Sequence, residues 1–266
     1  MPASLISSQA ILAKLHTRRL GESLLLLEEC DSTNGVAAKL ASAGAAEGFT
    51  VIAVKQNRGR GRSGRSWVSP SGGLWMTVVM RPPSSFQASI CLPLIGALAI
   101  ARAINTIYRT GVSVRWPNDV VLHDRKLAGT LAEARTAGEK PEYALLGLGV
   151  DTNFPTSSLG DATANATTLS DSIGHEIDNL DLIAGILRNL EELYQQASDG
   201  RDVETLNLLM QIDASAGRRL TVLLEDGRVS GVFEKYLTLS NVQIFDGHDR
   251  RQVETSAAVS VEYLRD

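Results

Sequence analysis

Apolar positions along the chain follow helical spacing in some stretches and strand-like runs in others. Ile11, Leu12 and Leu15 give residues 8–19 one apolar side and predict a short amphipathic helix. Leu24–Leu27 predicts a buried strand. Ser32-Thr33-Asn34 precedes an alanine-rich stretch to Ala43, which predicts a helix with a hydroxyl cap. Thr50–Lys55 and Leu74–Met80 predict strands on either side of a glycine-rich loop. Leu94, Leu98, Ala101, Ile104 and Ile107 recur at helical spacing and predict a helix over Leu94–Tyr108. Val112–Trp116 and Val120–Leu122 read as a strand interrupted by Pro117. Lys126–Glu133 and Tyr143–Val150 predict two further strands, joined by a turn containing Gly138, Glu139 and Lys140. Residues 151–178 are rich in Ser, Thr, Ala and Asp, lack periodicity, and read mainly as loop. Leu182, Ile183, Ile186, Leu187, Leu190, Leu193 and Tyr194 mark a long helix, with a second at about 203–212.

The pattern shortens after Ala214. Leu220–Leu224, Val229–Phe233, Leu237–Leu239, Val242–Phe245, Gln252–Thr255 and Val259–Tyr263 are strand-like runs, and Asp226-Gly227 fits a hairpin turn. The expected fold class is therefore α+β, with a larger domain over 1–213 and a small β-barrel over 214–266.

Composition narrows the function. The 266 residues carry a net charge of −4, with 44% apolar and 21% charged residues. An acidic average argues against a protein that coats nucleic acid. No uninterrupted apolar run reaches the ~18 residues of a membrane span; the best, Cys91 to Ala101, is far shorter. The N-terminus has neither a basic region nor a long apolar stretch, so no secretory signal is visible. Cys30 and Cys91 are the only cysteines, which fits a reducing, cytoplasmic setting.

One segment departs from the acidic average. Arg58, Arg60, Arg62 and Arg65 alternate with Gly59, Gly61 and Gly64. Glycines let backbone N–H groups turn toward a ligand, and guanidinium groups are planar donors for carboxylate or phosphate. The segment reads as an anion-binding loop, mobile over 57–66 when empty; a solvated basic loop is the plainer alternative. Its G-x-G-x-x-G spacing does not read as a dinucleotide fingerprint, because Trp67–Gly73 is not a helix and no acid lies near residue 84. No P-loop sequence occurs.

Three further clusters carry polar chemistry. Arg115-Trp116-Pro117-Asn118-Asp119 sets a cation, an indole, a carboxamide and a carboxylate around a proline. Lys126-Leu127-Ala128-Gly129 starts an apolar strand with a lysine. Gly147 and Gly149 lie within a strand, where glycine marks a bulge or a close approach. Each alone also reads as a structural turn.

Their order along one chain resembles the biotin protein ligase family. Ser32-Thr33-Asn34, Gly59-Arg60-Gly61-Arg62-Ser63-Gly64-Arg65-Ser66-Trp67, Trp116-Pro117-Asn118-Asp119, Lys126-Leu127-Ala128-Gly129 and the Gly147/Gly149 strand follow one another from about residue 30 to 153. The resemblance implies a catalytic domain around a mixed sheet, followed by an SH3-like barrel. It implies activation of biotin by ATP to biotinyl-5′-AMP, then transfer to one lysine of a biotin carboxyl carrier protein. ATP and biotin would be substrates, Mg²⁺ would accompany ATP, and no tightly bound prosthetic group or protein metal centre is expected.

By the same resemblance, Ser32, Thr33, Gln56, Gly59, Arg60, Arg62, Lys126, Gly129 and Gly147 would contact biotin. Arg60, Arg62, Arg65, Trp67, Arg115, Asn118 and Asn153 would serve ATP. Lys126, Arg62 and Asp119 are the catalytic candidates: Lys126 contacts the activated carboxyl and phosphate, and Asp119 helps deprotonate the acceptor lysine or position Mg²⁺. Two positions depart from the family pattern. Arg115 stands where lysine is common, and Asp151 where asparagine is usual, so Asn153 or a backbone group is expected to take the nucleotide contact instead.

About 30 residues precede Ser32, too few for the winged helix-turn-helix of the family's repressors, so no nucleic-acid partner is expected. No membrane partner is expected either, and a homodimer remains open. The rival readings are a lipoate-type acyl-adenylate ligase, a DNA-binding biotin sensor, and a binding module whose basic loop grips an acidic partner.

Overall fold

The computed structural model describes residues 6–83, 88–137 and 140–264. Gly138 and Glu139 of the predicted turn lie outside the described residues. In chain order the first part contains α1 (Ser8–Lys14), β1 (Leu24–Cys30), α2 (Thr33–Ser42), β2 (Thr50–Arg60), β3 (Ser66–Ser69), β4 (Leu74–Met80) and α3 (Ala88–Tyr108). It continues with β5 (Ser113–Arg115), β6 (Asp119–Leu122), β7 (Arg125–Ala137), β8 (Lys140–Val150), α4 (Leu169–Ile173), α5 (Asn179–Ser198) and α6 (Asp202–Gln211).

Eight strands form one mixed sheet in the order β1-β2-β4-β8-β7-β6-β5, with β3 folded back onto β2. β1 and β2 run parallel and the other pairs antiparallel. Met76, Val78 and Met80 of β4, with Ala144, Leu146, Leu148 and Val150 of β8, join α3 and α5 in the main core. On the other face α2 packs through Ala37 and Ala41 against Val51, Val79, Tyr143 and Leu145. The period-2 alternation of β4 and β8 separates these two faces.

Several elements differ from the sequence reading. The N-terminal helix stops at Lys14 rather than residue 19. α3 begins before Leu94 and contains Pro93, because Leu92, Leu94 and Ile95 are all buried and packing outweighs the proline. Its stretch Ile90–Tyr108 is long and apolar enough to cross a membrane, and 78% of that window is buried inside the protein. Residues 151–178 are not all loop: Thr156–Ala164 forms a 3₁₀ segment, and the Thr168 side chain caps α4, which ends at Gly174 with φ 80°. These turns are too short for periodicity to reveal.

The C-terminal part is a five-stranded antiparallel sheet of β9 (Arg219–Leu223), β10 (Arg228–Tyr236), β11 (Asn241–Phe245), β12 (Arg250–Glu254) and β13 (Ser260–Tyr263), in the order β12-β11-β10-β9-β13. Leu237–Leu239 is a bend and not a sixth strand; Leu237 and Thr238 turn back to the Asn241 carbonyl. Val222, Phe233, Val242 and Ile244 build this sheet's core. It docks on the mixed sheet at Trp116, whose ring lies 6.1 Å from that of Phe233 and whose Nε1 donates to Thr255 Oγ1 at 3.0 Å.

Candidate active site

Alternation turns Thr77 of β4 and Gly147 and Gly149 of β8 away from the α3/α5 core, to the face that carries α2. A cavity of about 270 Å³ opens there beside the N-terminus of α2. One end is a polar network. The Thr33 N–H and hydroxyl both donate to Gln56 Oε1, at 2.8 and 3.1 Å, and Gln56 Nε2 donates to Ser69 Oγ at 2.9 Å. The Thr77 hydroxyl bridges Thr33 Oγ1 and Asn34 Oδ1 at 2.8 and 2.6 Å. Asn34 Nδ2 donates to Glu133 Oε2 at 2.6 Å, and the same oxygen accepts from Arg60 Nη2 at 3.0 Å. Ser32 precedes α2, but its side chain makes no capping bond. It lines the cavity instead.

The arginine loop has a defined shape. β2 runs through to Arg60, and β3 returns beside it with Gly59 opposite Trp67 and Arg60 opposite Ser66. Between them Arg62–Gly64 forms a 3₁₀ turn, with Ser63 at φ 54°. This turn is tied to the C-terminal sheet. The Arg62 guanidinium donates to the Ala258 carbonyl, and the Ser63 hydroxyl donates to the Val259 carbonyl at 2.5 Å. Val259, Ser260 and Val261 form the cavity's far wall. Burial lowers the Arg62 pKa, the Asp119 carboxylate opposes this, and Arg65 adds to it.

Gly129 and Gly149 are partners across β7 and β8. The Trp67 indole occupies the room they leave: an added Cβ would meet Trp67 Cζ3 at 3.0 Å from Gly129, and Nε1 at 2.9 Å from Gly149. At Gly147 a Cβ would stand 2.5 Å from Asn34 Oδ1. Lys126 Nζ lies 5.0 Å from the Trp67 ring centroid and 2.6 Å from Asp119 Oδ1. Asn118 Nδ2 is held by the Thr130 carbonyl at 2.6 Å. Just past β8, Asp151 is 2% exposed and lines the cavity. Its burial raises the carboxyl pKa well above the usual range, against the opposing pull of Lys126. An indole, four cations and a polar amide end suit a ligand with an apolar body and anionic groups.

Residues 26–151 match the Biotin/lipoate A/B protein ligase family. The chain is 34% identical over 166 residues to a biotin–[acetyl-CoA-carboxylase] ligase of Paracoccus denitrificans, covering 60% of this chain and 69% of that protein. The chain belongs to the biotin protein ligase family. A bifunctional ligase/repressor BirA of Bacillus spizizenii is 32% identical over 192 residues, a match covering 71% of this chain and 59% of that relative's length. In fold, the chain superposes on a biotin protein ligase from Aquifex aeolicus in complex with biotin and ATP, with a TM-score of 0.80 at 24% identity, over 91% of this chain and 100% of that one.

Within the biotin protein ligase fold, the structure gathers most residues singled out from sequence. Ser32, Thr33, Gln56, Arg60, Arg62, Arg65, Trp67, Asn118, Lys126, Gly129 and Gly147 all line the cavity. Asp119 reaches it through Lys126. Gly59 is not among the lining residues, and a Cβ there would crowd the Trp67 carbonyl at 2.4 Å and Ser69 Oγ at 2.6 Å. Two residues lie elsewhere. Arg115 pairs with Asp124 at 2.6 Å and stacks 5.2 Å over the Tyr263 ring, between the two sheets. Asn153 exchanges two hydrogen bonds with the Ile177 backbone, each 2.8 Å, and its neighbour Asp151 faces the cavity in its place.

Sequence reasoning did not single out Thr77 or Glu133. Glu133 stands four residues after Gly129 on one strand, so alternation already put both on one face. Trp116, read as part of a ligand motif, anchors the C-terminal sheet.

Proposed function

We propose that this chain is an ATP-dependent ligase that converts biotin to biotinyl-5′-AMP and passes the biotinyl group to a lysine of a biotin carboxyl carrier protein. The observation that carries this reading is one cavity holding both a fixed amide-recognising end, Thr33 with Gln56, and a cationic end, Lys126 with Arg62.

In the first step a biotin carboxylate oxygen attacks the α-phosphorus and pyrophosphate leaves with the electrons of the broken P–O bond. Two anions must approach, so the fixed charges of Lys126, Arg60 and Arg62 offset their repulsion. Trp67 offers a flat apolar face to the adenine. In the second step a neutral lysine amine attacks the acyl carbon, AMP leaves, and Asp119, the partner of Lys126, accepts the amine proton. Mg²⁺ would accompany the ATP phosphates and help offset their charge.

Pyrophosphate release with Mg-ATP tests the acyl substrate. Turnover with biotin should exceed that with lipoate; faster release with lipoate contradicts the reading.

A further inference from the structure

Glu133 is not among the cavity-lining residues and takes no part in the two steps above. On β7 it shares a face with Gly129 and Leu131, four and two residues before it, and both of these do line the cavity. Its Oε2 accepts two hydrogen bonds, from Asn34 Nδ2 at 2.6 Å and from Arg60 Nη2 at 3.0 Å. Asn34 belongs to the polar amide end of the cavity and Arg60 to the arginine loop. One carboxylate oxygen therefore joins the two.

The two bonds differ in weight. The Glu133 and Arg60 side chains are 37% and 46% exposed, and an ion pair this open to solvent contributes little by itself. Asn34 is buried in the first turn of α2, and its amide fills the space that Gly147 leaves on β8. An ionised carboxylate only accepts hydrogen bonds, so the Asn34 amide must turn Nδ2 to Glu133 and Oδ1 to the Thr77 hydroxyl, at 2.6 Å. With no carboxylate there, either end of the amide can face Thr77, whose hydroxyl both donates and accepts. Glu133 thus sets the polarity of a network that continues from Thr77 to Thr33 and Gln56. At the far end Gln56 Nε2 donates to Ser69 Oγ, and the Ser69 hydroxyl donates to the Trp67 carbonyl at 3.2 Å. The network begins at Arg60 on β2 and ends at Trp67 on β3, the two strands that flank the arginine turn.

We propose that Glu133 is a positioning residue that couples the two halves of the site. It orients Asn34 for a ureido head group and holds Arg60 on the same oxygen, so that head-group binding and closure of the arginine loop are one event. The inference rests on the biotin reading for the ligand's identity and deepens it.

Biotin affinity by calorimetry without ATP, and tryptic cleavage at Arg62 and Arg65 with and without biotin, test this. The proteins compared are wild type, Glu133→Ala, Glu133→Gln, Arg60→Ala and the Glu133→Ala/Arg60→Ala double variant. Glu133→Ala should bind biotin about tenfold more weakly, the range for losing a hydrogen bond to a charged group. The double variant should bind no more weakly than the weaker single one, as for two residues that act as a unit. Glu133→Gln keeps an acceptor for Asn34 but not the charge that holds Arg60. It should recover part of the affinity, and it carries the test if Glu133→Ala does not fold. Saturating biotin should protect the loop of wild type from trypsin and protect that of either Glu133 variant several-fold less. Additive losses in the double variant, or full protection of the loop in the saturated Glu133 variants, overturns the inference. Failure of the biotin reading shows separately, as no biotin binding by wild type. The ligand-free cleavage rates then still decide the tie: a several-fold rise in Glu133→Ala and Arg60→Ala alike supports it, and wild-type rates in both overturn it.

Discussion

The Trp67 indole fills the space above Gly149, where a Cβ would stand 2.9 Å from Nε1. The opposite partner, Gly129, leaves matching room on β7. Gly149→Ala is therefore expected to lift the ring off the sheet. The variant should fold, with kcat/KM lowered about tenfold or more, because a displaced aromatic no longer presents its face to the ligand. Tryptophan emission, read against a Trp67→Phe background, and steady-state kinetics check this. Unchanged emission with unchanged kcat/KM would contradict it.

Lys126 and Asp119 should separate the two chemical steps. Lys126→Ala is expected to slow adenylate formation by about 10²–10³-fold, the range for removing one preorganised charge or donor at a reacting oxyanion. Asp119→Asn keeps a polar partner for Lys126 and should retain adenylate formation while slowing transfer to the acceptor lysine. Rapid-quench measurement of the biotinyl-AMP burst and its decay distinguishes them. Equal slowing of both steps in Asp119→Asn would count against a proton-accepting role.

The arginine loop leans on the C-terminal sheet through Ser63 and Val259 at 2.5 Å. Ser63→Ala removes one hydrogen bond, worth about 0.5–1.5 kcal/mol. Cleavage within residues 58–65 by trypsin should rise several-fold in the unliganded variant and return to the wild-type rate with saturating biotin and ATP. A wild-type cleavage rate without ligand would show that this tie does not hold the loop.

Trp116 tests the junction of the two sheets. Trp116→Phe keeps most of the ring contact with Phe233 and loses the bond to Thr255, so it should cost about 1 kcal/mol in denaturant unfolding. Trp116→Ala should cost about 3–5 kcal/mol. Equal stability of wild type and Trp116→Ala would contradict its place as the anchor.

Asp151 also predicts a pH dependence of stability. Its folded pKa is raised above the reference 3.8. The folded state therefore holds a proton that the unfolded chain releases, and stability from that proton is full below the unfolded pKa and lost as pH rises through the folded value. Asp151→Asn cannot ionise. Its Tm should match wild type near pH 4 and exceed it increasingly toward pH 8; a constant difference across that range would contradict the assignment.

Most of the site was legible because its chemistry is carried by short contiguous motifs. Residues 59–67 and 126–129 need glycine or a cation at fixed spacing, and both line one cavity in the structure. The strands were legible for a similar reason, since β4 and β8 are buried on both faces and read as apolar runs. Tertiary choices were not. Asn153 and Asp151 are both polar and two residues apart, so alternation puts them on one side of an extended chain. The chain leaves β8 at Val150, however, and Ile177 captures Asn153. Arg115 sits beside Trp116 in sequence, but its pairing with Asp124 depends on the turn at His123 and Asp124, both at positive φ. Leu237–Leu239 has a strand-like composition in a segment too short to pair.

Biotin transfer to a carrier protein is the reaction on which the proposed function turns. Intact-mass spectrometry of a biotin carboxyl carrier domain, after incubation with this protein, biotin and Mg-ATP, tests it most directly. A mass increase of one biotinyl group on a single lysine is expected, absent without ATP and nearly abolished in Lys126→Ala. An unmodified carrier domain, or a carrier modified equally well by the Lys126→Ala variant, would contradict it.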